Sequence, residues 1–157
     1  MRARQHMREG RPRFEAERKE RDELAARFFD ALREGDLAGL QDLLAADVTM
    51  VGDSGGRTPQ LARAVAGAAN VARLLAAIVP LMARIDVTFA PHEVNGRPGA
   101  VFRDREGRVL TVLVLDLLDG RIGTVRSVTN PDKLAHLGPV ADAWAVHQEL
   151  KRARRSA

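Results

Sequence analysis

The sequence predicts an α+β fold, with helices on one face of a curved antiparallel sheet. Helical periodicity dominates up to about residue 83, interrupted by one strand-like stretch. From residue 85 to 128, short apolar runs alternate with glycine-containing turns, the pattern of an antiparallel meander. The length of 157 residues suits one domain with a real core.

Each element has its own signal. Leu24, Ala25, Phe28, Phe29 and Leu32 recur with helical spacing, predicting a helix over about 16–34 that Gly35 ends. Asp36 is placed to cap a second helix with the apolar stripe Leu37, Leu40, Leu43 and Leu44. DVTMVG then reads as a strand and DSGG as a turn. Val71, Leu74, Leu75, Ile78 and Met82 predict a third helix over about 68–83, which Pro80 should kink or end early. IDVTFAPHEV, AVFRD, RVLTVLVLDLL and RIGTVRSV read as strands, separated by the turns NGRPG, REG and DG. RVLTVLVLDLL is almost wholly apolar, as expected of a strand buried on both faces. Asn130 and Pro131 supply the N-cap and first position of a short helix in NPDKLAHL. Residues 139–155 read as helical and carry the only tryptophan, Trp144. The expected core includes Phe28, Phe29, Leu40, Leu75, Ile78, Phe89, Phe102, Val112 and Val114.

The net charge of +4 is unevenly spread. Residues 1–21 hold eight Lys/Arg against four acids, and KRARR at 151–155 adds four more cations. The middle of the chain is mildly acidic, so the positive charge sits at the ends, which is weaker evidence for nucleic acid than a basic face. No apolar run approaches the ~18 residues that span a bilayer. The basic start has no apolar segment behind it, so a secretory signal is not expected and the cytoplasm is. With no cysteine, disulfides, thiolate chemistry and zinc–thiolate sites are excluded.

Chemistry-bearing patterns are sparse. VGDSGGRTP at 51–59 places two glycines between Asp53 and Arg57. It lacks the Gly-Lys-Ser/Thr of a phosphate loop, and Pro59 does not open a long helix; a turn using glycine for positive φ is the favoured reading. The histidines His6, His92, His136 and His147 have no metal-binding spacing. Ser54, Ser127 and Ser156 sit in no nucleophile elbow. Asp116, His92 and Arg126 are the polar groups on strands available to proton-transfer chemistry. Asp116 interrupts an apolar strand, though its place near the strand end offers it solvent or a backbone donor. No tyrosine is present to serve as a phenolic oxyanion donor.

Four stretches carry a resemblance. RARQHMREGRPRF at 2–14 looks like the end of the promoter-reading helix of sigma region four and its linker; DSGGR at 53–57 is similar to an Asp-Gly-Gly-Gly-Lys motif. VNGRPGAV at 94–101 matches a recurrent hairpin, and NPDKL at 130–134 matches its motif directly. Together they resemble the SnoaL-like, nuclear-transport-factor-two-like C-terminal domain of SigJ-type extracytoplasmic-function sigma factors. Ser54 and Arg57 depart from the family's glycine and lysine. The resemblance implies a cone-shaped barrel with an apolar interior. It divides the chain into a basic stub outside the core (1–13), a SnoaL-like domain (14–137), and a C-terminal helix and basic tail (138–157). It implies a regulatory domain acting in cis on transcription initiation, without a cofactor. Its partners would be the sigma body (regions two and four) and, through it, RNA polymerase. DNA would be met only through those regions, which this chain lacks, and no membrane is implied. The interaction residues would be Asp53, Gly55, Gly56, Arg57, Asn130, Asp132 and Lys133. The rival reading is a stand-alone SnoaL-like polyketide cyclase or small-molecule isomerase using Asp116 and His92. Either reading is compatible with a small apolar ligand in the pocket.

Overall fold

The computed structural model describes residues 2–57 and 64–156. In chain order the elements are α1 (Arg2–Glu34), α2 (Leu37–Leu43), β1 (Leu44–Asp53), β2 (Ala64–Ala66), α3 (Ala68–Arg84), β3 (Thr88–Pro91), β4 (Gly99–Arg103), β5 (Val109–Leu118), β6 (Arg121–Val128), α4 (Pro131–Leu134) and α5 (Ala143–Arg155). A short 3₁₀ turn, Ala135–Leu137, follows α4.

Local signals act where the sequence places them. The Asp36 carboxylate accepts the Gly39 N–H at 3.0 Å and caps α2. The Asn130 side chain accepts the Asp132 N–H at 3.1 Å, with Pro131 at the first position of α4. Asp119 and Gly120 both take positive φ, 54° and 74°, the requirement of a tight turn between β5 and β6. The REG turn is held by Asp104, a buried carboxylate accepting from the N–H groups of Glu106 and Arg108 and from the Arg108 guanidinium. Burial pushes its pKa up, but these hydrogen bonds, led by the Arg108 N–H, outweigh it and leave the group below the usual carboxylate range.

The sheet corrects the expected barrel. Its six strands run in the order β2-β1-β6-β5-β4-β3, so β2 and β3 are opposite edges and the sheet stays open. Closure would need those edges to hydrogen-bond to each other, but among the described residues each pairs only inward, β2 with β1 and β3 with β4. The sheet is also mixed: β1 and β6 pair in parallel, while all other neighbours are antiparallel. Nor do the helices share one face. Leu134 of α4 packs with Val101, Val109, Val112 and Val114 on the side of the sheet opposite the main core.

The main core joins Leu24, Phe28, Phe29 and Leu32 of α1, Leu40 of α2, and Val71, Leu75, Ile78 and Met82 of α3 to Val48, Phe102, Leu113, Leu115, Ile122 and Val125 of the sheet. β5 is buried on both faces: Leu113 and Leu115 point into this cluster, Val112 and Val114 into the other. All the expected core residues are buried except Phe89, which is half-buried because β3 is an edge strand. Its ring stacks on Phe102 at 4.8 Å, and the Arg33 guanidinium covers it at 4.4 Å.

Three helix expectations shift. α1 starts at Arg2, well before residue 16, and passes through Pro12. Arg8, Glu9, Arg11, Arg13 and Glu15, good helix formers on either side of that proline, work against its cost, while Gly10 does not. The side chains of residues 1–11, and with them the expectation that this stretch stays out of the core, lie outside the described residues. α3 runs past Pro80 to Arg84. α5 begins at Ala143, not 139, because Val140 bridges to Val109 and Asp142 caps the helix through the N–H groups of Trp144 and Ala145. β2, three residues long, has no signal of its own in the sequence.

Phe102 is 2 % exposed, sits in the main core and stacks on Phe89 of β3. Phe102→Ala should therefore cost about 3–5 kcal/mol of stability, measured by urea denaturation. A cost within the range of a surface change would mean that this ring does not anchor the core.

Candidate interaction site

β1 ends in DSGGR and β6 ends just before NPDKL. Because the two strands are parallel neighbours, with Asp53 opposite Val128, both segments emerge at the same end of the sheet. The Asp53 carbonyl accepts the N–H groups of Thr129 and Asn130, at 2.8 and 3.0 Å, which fixes one segment against the other. Side chains repeat the link. The Lys133 ammonium bonds the Asp53 carboxylate, and Arg57 bonds Asp132 at 2.7 Å.

Glycine is required within this junction. Gly55 has φ +61°, and a Cβ there would lie 2.6 Å from the Asn130 side-chain nitrogen. Its N–H donates to the Asp53 carboxylate at 3.2 Å, closing the turn. Gly56 also has positive φ but opens to space that a Cβ would leave unobstructed. Ser54, which replaces a motif glycine, is buried, and its hydroxyl accepts the Gly56 N–H at 3.2 Å. The Asp53 pKa is held below the usual range chiefly by the hydrogen bond from Lys133, helped by that cation's charge and the Gly55 N–H, against a smaller upward push from burial.

The structure thus brings together Asp53, Gly55, Gly56, Arg57, Asn130, Asp132 and Lys133. It adds Trp144, which sequence reasoning noted only as a landmark. The Trp144 indole N–H donates to the Arg57 carbonyl at 3.1 Å, while 56 % of the residue stays exposed. No local pattern could pair residues 57 and 144. Thr58 and Pro59 lie outside the described residues.

No hydrogen bond or ion pair joins Asp116 to His92 among the described residues. Asp116 reaches solvent with about a quarter of its side chain and pairs there with two arginines, Arg97 at 2.9 Å and Arg126 at 3.1 Å, rather than with a backbone donor. His92 lines a cleft of about 480 Å³ between α1 and the β3–β4 hairpin, with Phe14, Arg18, Phe29 and Arg33. Asp116 is not part of that lining.

Among the described residues, no helix is long and apolar enough to cross a membrane. Residues 25–147 match the model of the SnoaL-like domain family. A curated relative, the extracytoplasmic-function RNA polymerase sigma factor SigJ of Mycobacterium tuberculosis, is 31% identical over 121 residues. That match covers 71% of this chain and 38% of SigJ, so the chain spans well under half of this relative. The SigJ crystal structure superposes with a TM-score of 0.58 at 28% identity, covering 73% of this chain and 44% of SigJ. A protein of Kribbella flavida DSM 17836 assigned as a ketosteroid isomerase shares the fold, with a TM-score of 0.51 at 20% identity over 70% of this chain and 77% of its own.

The sign of the Asp53 effect gives a pH dependence. A depressed carboxylate pKa adds stability that is complete above the unfolded value, about 4. That increment fades as pH falls through the lower folded value. Lys133→Met should return the Asp53 titration, followed by NMR, toward the ordinary range. A double-mutant cycle with Asp53→Asn should give about 0.2–1 kcal/mol near neutral pH, since the pair is exposed. An Asp53 titration unmoved by Lys133→Met would deny the pair its role.

Proposed function

The chain belongs to the SnoaL-like domain family, and from that premise we propose that it is a regulatory and interaction domain of a SigJ-type sigma factor. It acts in cis on transcription initiation by docking, through the joined DSGGR and NPDKL segments, on the sigma body. RNA polymerase is reached through that body. The observation that carries this reading is the cross-linking of the two segments by Asp53–Lys133 and Arg57–Asp132. Kinship with SigJ supports the choice of partner.

The junction suits docking for physical reasons. Its charged groups are exposed yet already oriented by one another, so little side-chain entropy is lost when a partner arrives. Each carboxylate keeps oxygen lone pairs free to accept further hydrogen bonds across an interface. Gly56 lets a partner backbone approach, and the exposed Trp144 offers a large, hydrogen-bond-anchored apolar surface. In a protein carrying both parts on one chain, a modest intrinsic affinity would hold the domain in place.

The enzymatic alternative, a polyketide cyclase or isomerase, draws on a shared fold alone. Its two candidate residues occupy different places, one in the α1 cleft and one between arginines.

The test is calorimetric titration of this chain with a sigma fragment carrying regions two and four. Trp144→Ala should weaken binding by tenfold or more, and Asp53→Ala and Lys133→Ala should each weaken it measurably. No binding by the unaltered chain, or equal binding by all variants, would remove the docking assignment.

A further inference from the structure

The basic run at 151–155 has no part in that docking surface, and the fold gives it a neighbour. α5 packs toward α3: Val146 and Leu150 line one small cavity with Met82 and Leu110. Arg105 ties the two helices. Its guanidinium donates to the carbonyl of Ile85, just past α3, at 3.4 Å and to Glu149 of α5 at 2.5 Å. Arg84, the last residue of α3, therefore joins the same end of the molecule as Lys151, Arg152, Arg154 and Arg155. All five are exposed. None makes an ion pair with a described residue, and Glu149, the only acid in α5, is taken by Arg105.

A helix C-terminus favours one or two cations. Four within five consecutive residues, with a fifth at the end of the helix packed against α5, concentrate positive charge that an anion would neutralise. A lipid surface fits poorly, because the apolar side of α5, Val146 and Leu150, is buried in the core and cannot insert. Single-stranded nucleic acid fits poorly too, since no aromatic side chain stands among these cations to stack a base. Four of the five are arginines, whose planar forks match phosphate oxygens, and they are carried on rigid helices. We propose that the C-terminal end of α5, with Arg84 beside it, docks the phosphate backbone of double-stranded DNA without reading its sequence. This goes beyond the sigma-docking reading, is separable from it, and departs from the expectation that DNA is met only through the sigma regions. The basic run lies about 10–16 Å along α5 from Trp144.

The experiment is fluorescence anisotropy of a labelled random-sequence duplex of about 20 base pairs, titrated with the whole chain between about 50 and 200 mM salt. Neutralising four to five phosphates should cost a few hundred-fold in affinity across that range. The combined variant Lys151→Ala, Arg152→Ala, Arg154→Ala and Arg155→Ala should bind far more weakly at low salt and lose most of the salt dependence. Arg152→Glu alone should give a smaller loss, and circular dichroism should show both variants folded. The variant Arg2→Ala, Arg4→Ala and Arg8→Ala should keep the salt dependence of the unaltered chain. No anisotropy change at low salt, equal binding by the combined α5 variant, or loss confined to the N-terminal variant would overturn the proposal. So would tighter binding of an RNA duplex or of a polyglutamate peptide.

Discussion

Parallel pairing of β1 with β6 is the constraint on which the rest depends. Two strands running the same way bring their C-terminal ends side by side, whereas antiparallel neighbours would send them to opposite edges of the domain. Everything at the junction follows from that direction. The Asp53 carbonyl meets the Thr129 and Asn130 amides, Gly55 must be small to clear Asn130, and two oppositely oriented ion pairs form between the loops. A parallel pair also needs a long crossover, here supplied by α3 and the β3–β5 meander. Part of the core beneath the sheet, from α3 and β3–β5, is thus built from the connection that makes the junction possible, and α1 and α2 complete it.

The parts legible in the sequence are those governed by local chemistry. Asp36 and Asn130 cap helices because a short polar side chain reaches amides two or three residues on. Asp119-Gly120 turns because both residues tolerate positive φ. β5 reads as a two-faced strand because its apolar run has no polar alternation, and it divides its side chains between two clusters.

What was not legible depends on partners far along the chain. Nothing in DVTMVG says whether its neighbour runs with it or against it, and an alternating meander after residue 85 invites the antiparallel answer. The barrel expectation failed at the edges, where β2 is too short to show a period and β3 ends at Pro91. The candidate site was legible as two motifs but not as one place. Their junction, and the arrival of Trp144 from the last helix, are properties of topology. Asp116 shows the same limit: its break in an apolar strand was visible, but not the arginines from positions 97 and 126 that hold it.

An open sheet has an implication for how the chain behaves in a crowd. Unpaired strand edges offer amide and carbonyl groups to any extended segment that passes, the first step toward strand addition and aggregation. Among the described residues both edges are short, three residues in β2 and four in β3, and Pro91 withholds a donor at the end of β3. Arg33, lying over Phe89 and bonded to that residue's carbonyl at 3.4 Å, occupies part of the remaining edge with a charge. The same arginine that covers an aromatic ring therefore also acts as a gatekeeper against self-association, which protects a fold that never closes on itself.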